Sequence, residues 1–419
     1  MTQRRRRRKK ELPVSDEDRL QTVVIERIVS GGYGLARRDD GKRLLVAGAA
    51  VGEKCIVALE HEYKDYATGI VVEVLTRSSD RTEPKCELFG ECGGCQLQHL
   101  RYQNQILAKE EIVRDTFNRI GELQNPNIYP MVAAVNPWAY RNHVRFSTGK
   151  LYGDAGFVPR TRRGLVKVNE CPVAVPWIND QIPDLQGKVA NLHQVQLRHS
   201  DTTNESLISP EIEQIQTASG QSFYHEELAG FHFRISQSSF FQVNSMQAEN
   251  LVQLVSDALP NEAELLVDAY AGVGTFAVIF SSRFRLVVAI EESHGAVKDA
   301  EFNVREFPNI GIQKGKVEDV LPNLGERADA LILDPPRVGC APAVLDSIIL
   351  NAPNCLVYVS CDPATLARDL AKLMQNGFRL DYVTPIDMFP QTAHIECVAK
   401  LTFSGTKTKD SEYLSRITS

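Results

Sequence analysis

Two stretches of the sequence carry side chains whose type and spacing could do chemistry. The first, CELFGECGGCQLQHL at 86–100, sets Cys86, Cys92 and Cys95 in a C-x5-C-x2-C pattern within a chain of nine cysteines. Gly93 and Gly94 let the backbone turn tightly enough for several sulfurs to converge on one centre. A fourth ligand is then needed, and Cys171 in NECPVAVPWI, in a loop-like segment and followed by proline, is the candidate; His99 is a weaker one. Four thiolates hold either zinc or a [4Fe-4S] cluster. Structural zinc sites usually pair two C-x2-C knuckles, and here there is one, which favours iron and sulfur. The second stretch, CLVYVSCDPATLARDL at 355–370, sets Cys361 directly before an Asp-Pro helix start. The field of a helix N-terminus favours a thiolate, so the expected thiol pKa lies below the usual value of about 8.5 and the sulfur is a candidate nucleophile. Further on, DMFPQTAHIECVAKLTF brings His394 and Glu396 to the start of an apolar strand, where either could accept a proton.

A third motif binds rather than reacts. LLVDAYAGVGTFAV at 265–278 reads as an apolar strand, a loop with Gly272 and Gly274, then a helix, and Glu291 ends the next strand, where a carboxylate can hold ribose hydroxyls. The pattern is not G-x-G-x-x-G and no Walker-type lysine follows, so S-adenosylmethionine is expected over NAD or ATP. LILDPPRVGC adds Asp334 at the end of the fourth strand beside two stiffening prolines. A D-P-P run also resembles that of amino-group methyltransferases, where an aromatic residue follows; here Arg337 follows.

These residues need elements to position them. From 245 onward apolar strands alternate with helical runs, which predicts an α/β doubly wound domain. Residues 20–75 alternate apolar and polar positions between glycine-rich turns and read as about five strands of a small β-barrel, with Tyr33, Arg37 and Arg38 exposed in a turn. A helical period covers about 101–120, and 121–240 reads as mixed strands and loops, with RHSDTTNESLISPE a surface loop. The expected division is a basic arm at 1–15, a barrel at 16–78, a central α+β domain at 79–240, a catalytic domain at 241–405 and a tail at 406–419. Nine cysteines in 419 residues are too few for a disulfide scaffold, and no apolar run approaches the roughly 20 residues of a membrane span. A cytoplasmic location without membrane attachment is therefore expected, and no protein partner is implied. The net charge is −6, yet the first ten residues carry seven Lys or Arg, an arm suited to attracting phosphate. Residues 137–167 add seven more against one Asp, interleaved with five aromatics, the makeup of a stacking and phosphate-binding platform.

Taken together, CELFGECGGCQLQHL, NECP, SFFQVN, DAYAGVGTF, LDPPRVG, VSCDPATLARD and PQTAHIE resemble the RNA uracil-C5 methyltransferases, and the likeness spans nearly the whole chain. It implies a class I, Rossmann-like methyltransferase sheet behind a TRAM or OB-like barrel. It also implies a [4Fe-4S] cluster on Cys86, Cys92, Cys95 and Cys171, and an S-adenosylmethionine site at Gln242, Tyr270, Glu291 and Asp334. Cys361 would be the nucleophile and Glu396 the general base. The implied substrate is a uridine in structured RNA, with 23S rRNA favoured over tRNA because a barrel joined to cluster ligands resembles the rRNA members. A noncatalytic RNA-binding or assembly protein is the rival reading. The arginine-rich arm is not part of the family pattern.

Overall fold

The computed structural model describes residues 19–123, 125–161 and 164–405; the basic arm and the tail expected at 406–419 lie outside the described residues. The N-terminal sheet has six strands: β1 (Leu20–Val24), β2 (Arg27–Val29), β3 (Tyr33–Arg37), β4 (Arg43–Ala47), β5 (Lys54–Glu62) and β6 (Tyr66–Thr76), in the order β1-β5-β6-β4-β3-β2. The run TVVIERIV spans two strands, because the chain leaves β5 at Ile25 and joins β3 at Glu26 through Ile25 N to Glu53 O and Glu26 N to Leu35 O. Consecutive strands thus form the two edges, and the sheet curls around Val23, Leu44, Val46 and Val57. Tyr33 and Arg37 belong to β3 rather than to a turn, and the Arg38 side chain is only 11% exposed, paired with Glu62.

Helix α1 (Tyr102–Ile120) follows, then β7 (His143–Thr148), β8 (Ala155–Phe157), β9 (Val166–Lys167), α2 (Pro176–Leu185), β10 (Gln194–His199) and β11 (Ser206–Ser209), the strands forming one sheet in the order β11-β10-β7-β8-β9. The expected surface loop RHSDTTNESLISPE is therefore largely a hairpin. Arg198 and His199 pair with Leu207 and Ser206, and Arg198 is buried with its guanidinium over the Tyr224 ring and Nη2 on Ser239 O. The expected stacking platform is also reduced, since Tyr140 and Phe146 lie in the core while Tyr152 is exposed.

The hairpin β12 (Phe223–Leu228) and β13 (Phe231–Ser236) precedes the boundary expected at 241 but packs into the layer behind it. There α3 (Ser245–Ala258), β14 (Ala263–Ala269), α4 (Thr275–Phe280), β15 (Phe284–Glu291), α5 (His294–Asn303), β16 (Ile310–Lys314), α6 (Val317–Val320), β17 (Ala330–Leu333), α7 (Pro342–Leu350), β18 (Cys355–Ser360), α8 (Pro363–Gln375), β19 (Phe378–Ile386) and β20 (Glu396–Phe403) build a seven-stranded sheet ordered β16-β15-β14-β17-β18-β20-β19. The strands are parallel from β16 to β18, and β20 runs antiparallel to both neighbours. The protein is thus α/β with a Rossmann-like sheet, as its alternation predicts.

Burial on both faces explains the continuous apolar strands. Val267, Leu331 and Leu356 face α1, α7 and α8 through Phe117, Ile348 and Leu366. Their neighbours Leu266, Ile332 and Val357 face α3, α4 and the hairpin through Val255, Phe276 and Phe233. Helix α1, far earlier in the chain, is fixed to this sheet by a fully buried pair: Lys109 Nζ lies 2.5 Å from Asp387 Oδ1, and Tyr102 OH donates to Asp387 Oδ2 at 2.9 Å. Asp299 of α5 holds the hairpin by accepting from Arg234 Nε and from Ser236 N.

Candidate active site

The order in which strands are added reverses at β14, which pairs in parallel with β15 on one side and β17 on the other; crevices at the carboxyl ends of such strands bind ligands. Every sequence-derived site residue of the catalytic layer except Gln242 sits on this edge. Tyr270 follows β14, Glu291 ends β15, Asp334 follows β17, Cys361 follows β18, and Glu396 begins the antiparallel β20, whose start lies at the same edge. Gln242, in the segment before α3, completes the wall, and all six line one cavity of about 520 Å³ with Phe240, Phe389 and Arg337.

The loop after β14 is shaped for close approach. Tyr270 has φ +68°, a left-handed conformation rare for an aromatic residue and kept only where the surroundings over-determine it. Gly272 at φ +57° has open space where a Cβ would stand, and its N–H donates to Glu291 Oε2 at 2.9 Å. Glu291 Oε1 accepts from Ser293 N at 2.7 Å, so the carboxylate is fixed while each oxygen keeps a free lone pair. The Oε1 of Gln242 is buried without a hydrogen-bond partner, the mark of a group that awaits a ligand.

Charge in the cavity is unbalanced. Burial pushes the Asp334 carboxyl up to about 7. It pushes Glu396, 4% exposed, well above the usual carboxylate range, with repulsion from Asp334 adding and the Arg337 guanidinium opposing. The Cys361 thiol rises to about 11 through burial and then the charge of Glu396, while Arg337 pulls it down. That is the reverse of the expected depression. Asp362 caps α8 by accepting from Ala364 N at 2.9 Å and Thr365 N at 3.1 Å, so those helix donors serve the cap rather than the sulfur. His394 is held down to about 4, chiefly by burial and then by Arg337, whose Nη2 donates to Nδ1 at 3.0 Å. A neutral imidazole facing a guanidinium is a poor proton acceptor, which favours Glu396 over His394.

Arg337 was not assigned a role from sequence. Its signal was present in the D-P-P-R run, where a cation stands in place of the aromatic residue of the amino-group enzymes. Phe389, another wall residue missed, lies just before the P-Q-T-A-H-I-E stretch.

The four cysteines meet elsewhere. Cys86, Cys92, Cys95 and Cys171 wall a separate cavity of about 260 Å³, together with Arg141 and His143. Burial raises all four thiols, Cys95 to about 12 and Cys171 to about 11, so a positive centre is needed to hold them as thiolates. Among the described residues no three metal-ligating side chains converge tightly enough for a single ion. His99 turns away, its Nε2 3.0 Å from Ala49 O.

Comparison with known proteins follows this geometry. The family described as tRNA (uracil-5-)-methyltransferase matches residues 220–320 and 324–403. An uncharacterized RNA methyltransferase of Thermosynechococcus vestitus is 35% identical over 91% of this chain and 97% of its own. The chain belongs to the RNA uracil-C5 methyltransferase family. A second relative, from Thermotoga maritima, is 32% identical over 91% of this chain and 99% of its own. Among solved structures, the Pyrococcus abyssi tRNA (uracil-54, C5)-methyltransferase in complex with S-adenosyl-L-homocysteine superposes with a TM-score of 0.73 at 26% identity, covering 91% of this chain and 99% of that one. This RNA methyltransferase therefore shares its fold with an enzyme of the family along nearly its whole length. Among its described residues no helix is long and apolar enough to cross a membrane.

Proposed function

We propose that the enzyme methylates C5 of a uridine in structured RNA through a transient bond between Cys361 and C6 of the uracil, with Glu396 as general base. The observation that carries this reading is the single cavity shared by Gln242, Tyr270, Glu291, Asp334, Cys361 and Glu396. S-adenosylmethionine fits it: the unpartnered Gln242 Oε1, the fixed Glu291 carboxylate and the open face of Gly272 are polar and steric complements to a nucleoside, and the acid-rich wall suits a cation. When bound, it supplies the methyl group as an electrophilic carbon.

Uracil C5 is a weak nucleophile until electrons enter the ring. The Cys361 sulfur adds to C6, and C5 becomes the electron-rich position. Arg337, beside the sulfur, favours its anion, and Asp334 is placed to orient the pyrimidine edge. After methylation Glu396 takes the C5 proton; the C–H electron pair becomes the C5=C6 bond, and the C6–S bond breaks with its pair returning to sulfur. A paired uridine cannot enter the cavity, so the target lies in a loop or is flipped out.

The cysteine cavity is proposed to hold a [4Fe-4S] cluster on Cys86, Cys92, Cys95 and Cys171. The all-thiolate donor set and a cavity larger than one ion support it. With four thiolates the cluster is structural. The division of labour proposed is a TRAM-like RNA-binding barrel at 16–78, a cluster and RNA-contact domain at 79–240 and a catalytic domain at 241–405, in the cytoplasm. For the RNA, 23S rRNA is proposed from the barrel and cluster arrangement. The solved relative that acts on tRNA favours tRNA as a second reading.

The test combines three measurements. Incubation with 5-fluorouridine RNA and S-adenosylmethionine is expected to trap RNA on Cys361; methylation proceeding without a trapped species overturns the covalent route. Mapping 5-methyluridine in rRNA and tRNA from cells lacking the chain separates the two RNA classes. Iron and acid-labile sulfide are expected in anaerobically purified protein, and stoichiometric zinc without sulfide overturns the cluster.

A further inference from the structure

The segment between β19 and β20 touches both cavities. Phe389 lines the catalytic cavity, Thr392 lines the cysteine cavity, and Glu396 follows at the start of β20. Its path is held in part from the cysteine side. Gln96, next to Cys95, donates from Nε2 to Gly93 O at 2.8 Å and accepts from Ala393 N at 3.1 Å through Oε1, so one amide bridges the cysteine turn and the chain three residues before Glu396. The backbone N–H groups of Gln96 and Leu97 both reach Gln391 O, at 3.1 and 3.0 Å. Gln391 has φ +69° and is clamped by Gln105 of α1: Gln391 N donates to Gln105 Oε1 at 3.1 Å, and Gln105 Nε2 donates to Gln391 Oε1 at 2.9 Å. From the barrel, Gly32 packs so closely that a Cβ there would stand 2.9 Å from the Gln96 Cβ and 3.2 Å from the Ala393 Cβ.

We infer that the cysteine turn is a positioning element for the general base: Gln96, acting through Ala393, and Gln105, acting through Gln391, set where Glu396 stands in the catalytic cavity. The inference rests on the roles proposed above for Cys361 and Glu396. Its consequence is confined to one step. The Cys361 sulfur can still add to C6 and C5 can still be methylated when Glu396 is displaced. What fails is removal of the C5 proton, without which the C–H pair cannot form the C5=C6 bond and expel the sulfur. The methylated RNA then stays bonded to the enzyme.

The experiment uses the full chain and unmodified uridine RNA with S-adenosylmethionine, and reads first-turnover methyl incorporation, steady-state turnover and covalent RNA–protein species on denaturing gels. Gln96→Leu is expected to lower turnover on the order of 10²-fold, the effect of a small misplacement of a reacting group. First-turnover incorporation stays near wild type and the adduct accumulates. Gln96→Glu keeps an acceptor for Ala393 N and is expected to recover part of the turnover. Gln105→Leu, which loosens the segment from the α1 side, is expected to accumulate the same adduct. Iron content and RNA affinity equal to wild type separate positioning from misfolding. Turnover unchanged in both Leu variants, or first and later turnovers falling together without adduct, overturns the inference. Glu396→Gln serves as the reference: if it accumulates no adduct, the base assignment itself is wrong; if it does and the Gln96 and Gln105 variants do not, only the positioning role fails.

Discussion

Asp268, the residue before the last of β14, is fully buried, one oxygen accepting from Ala277 N at 2.9 Å and the other, Oδ1, without a partner. Burial pushes its carboxyl from the usual 3.8 up to about 7, with Asp334 and Glu291 adding repulsion and the Ala277 N–H opposing. A carboxyl whose pKa is higher in the folded than in the unfolded state favours the fold while it is protonated. That contribution is full below about pH 4 and is lost as the pH rises through about 7. A shift of about 3 units corresponds to roughly 4 kcal/mol of lost stability once both states are ionised. Asp268→Asn keeps an oxygen for Ala277 N and removes the charge. It forfeits the ionic strengthening of that bond and leaves an amide N–H₂ unpaired, together about 1–2 kcal/mol. The variant without ligand is therefore expected to be more stable than wild type by about 2–3 kcal/mol at pH 8 and to have no advantage at pH 4.5. At roughly 2–4 °C per kcal/mol, thermal unfolding followed by circular dichroism should resolve several degrees at the upper pH. A difference between the two proteins that is the same at both pH values, or that grows toward low pH, would refute the reasoning.

Three further outcomes follow from the geometry. Alkylation of Cys361 by iodoacetamide, followed by mass spectrometry on the cofactor-free enzyme, should accelerate about tenfold per pH unit from pH 7 to 10 with no plateau below about 11, and Arg337→Met should slow it at every pH. Gln242→Leu should weaken S-adenosylmethionine binding by about tenfold, measured by calorimetry, because it deletes an acceptor aimed into the cavity, while the melting temperature without ligand does not fall. Lys109→Met should destabilise the protein by about 3–5 kcal/mol by leaving buried Asp387 without its cation, and adding Asp387→Asn should recover most of the loss in chemical denaturation.

The edge of the catalytic sheet was legible in the sequence because each strand there is an apolar run ended by a polar or reactive residue, and burial on both faces leaves no other pattern for such strands. Less was legible where polar side chains are buried. Arg198 and His199 read as loop because their polarity hides a strand whose buried arginine meets a carbonyl and an aromatic face. Arg38 read as exposed because its partner Glu62 lies 24 residues away on another strand. The strand β19 (FRLDYVTPI) gives a weaker signal, because its apolar run is interrupted by Arg379 and Asp381. Cys361 was found by its position, but its resting state was misjudged. Local sequence reports the helix start, whereas the pKa is governed first by burial and then by Glu396, which arrives from another strand.

That misjudged state has a use on the proposed reading. The catalytic cavity is walled by Glu291, Glu292, Glu318, Asp334 and Glu396 against Lys316 and Arg337, so acids outnumber cations. Without further positive charge, burial and the neighbouring acids favour the protonated forms of Cys361 and Glu396, one a thiol and one an acid. A sulfonium in the same cavity is the missing counter-charge, and one field acts on every acid it faces, so it favours the Cys361 thiolate and the Glu396 carboxylate together. On the proposed reading the thiol is then quiet in the empty enzyme and is activated beside the methyl donor. The methyl donor would supply positive charge only until its methyl is transferred, after which the Glu396 carboxylate would hold a proton more tightly, when C5 has one to give up.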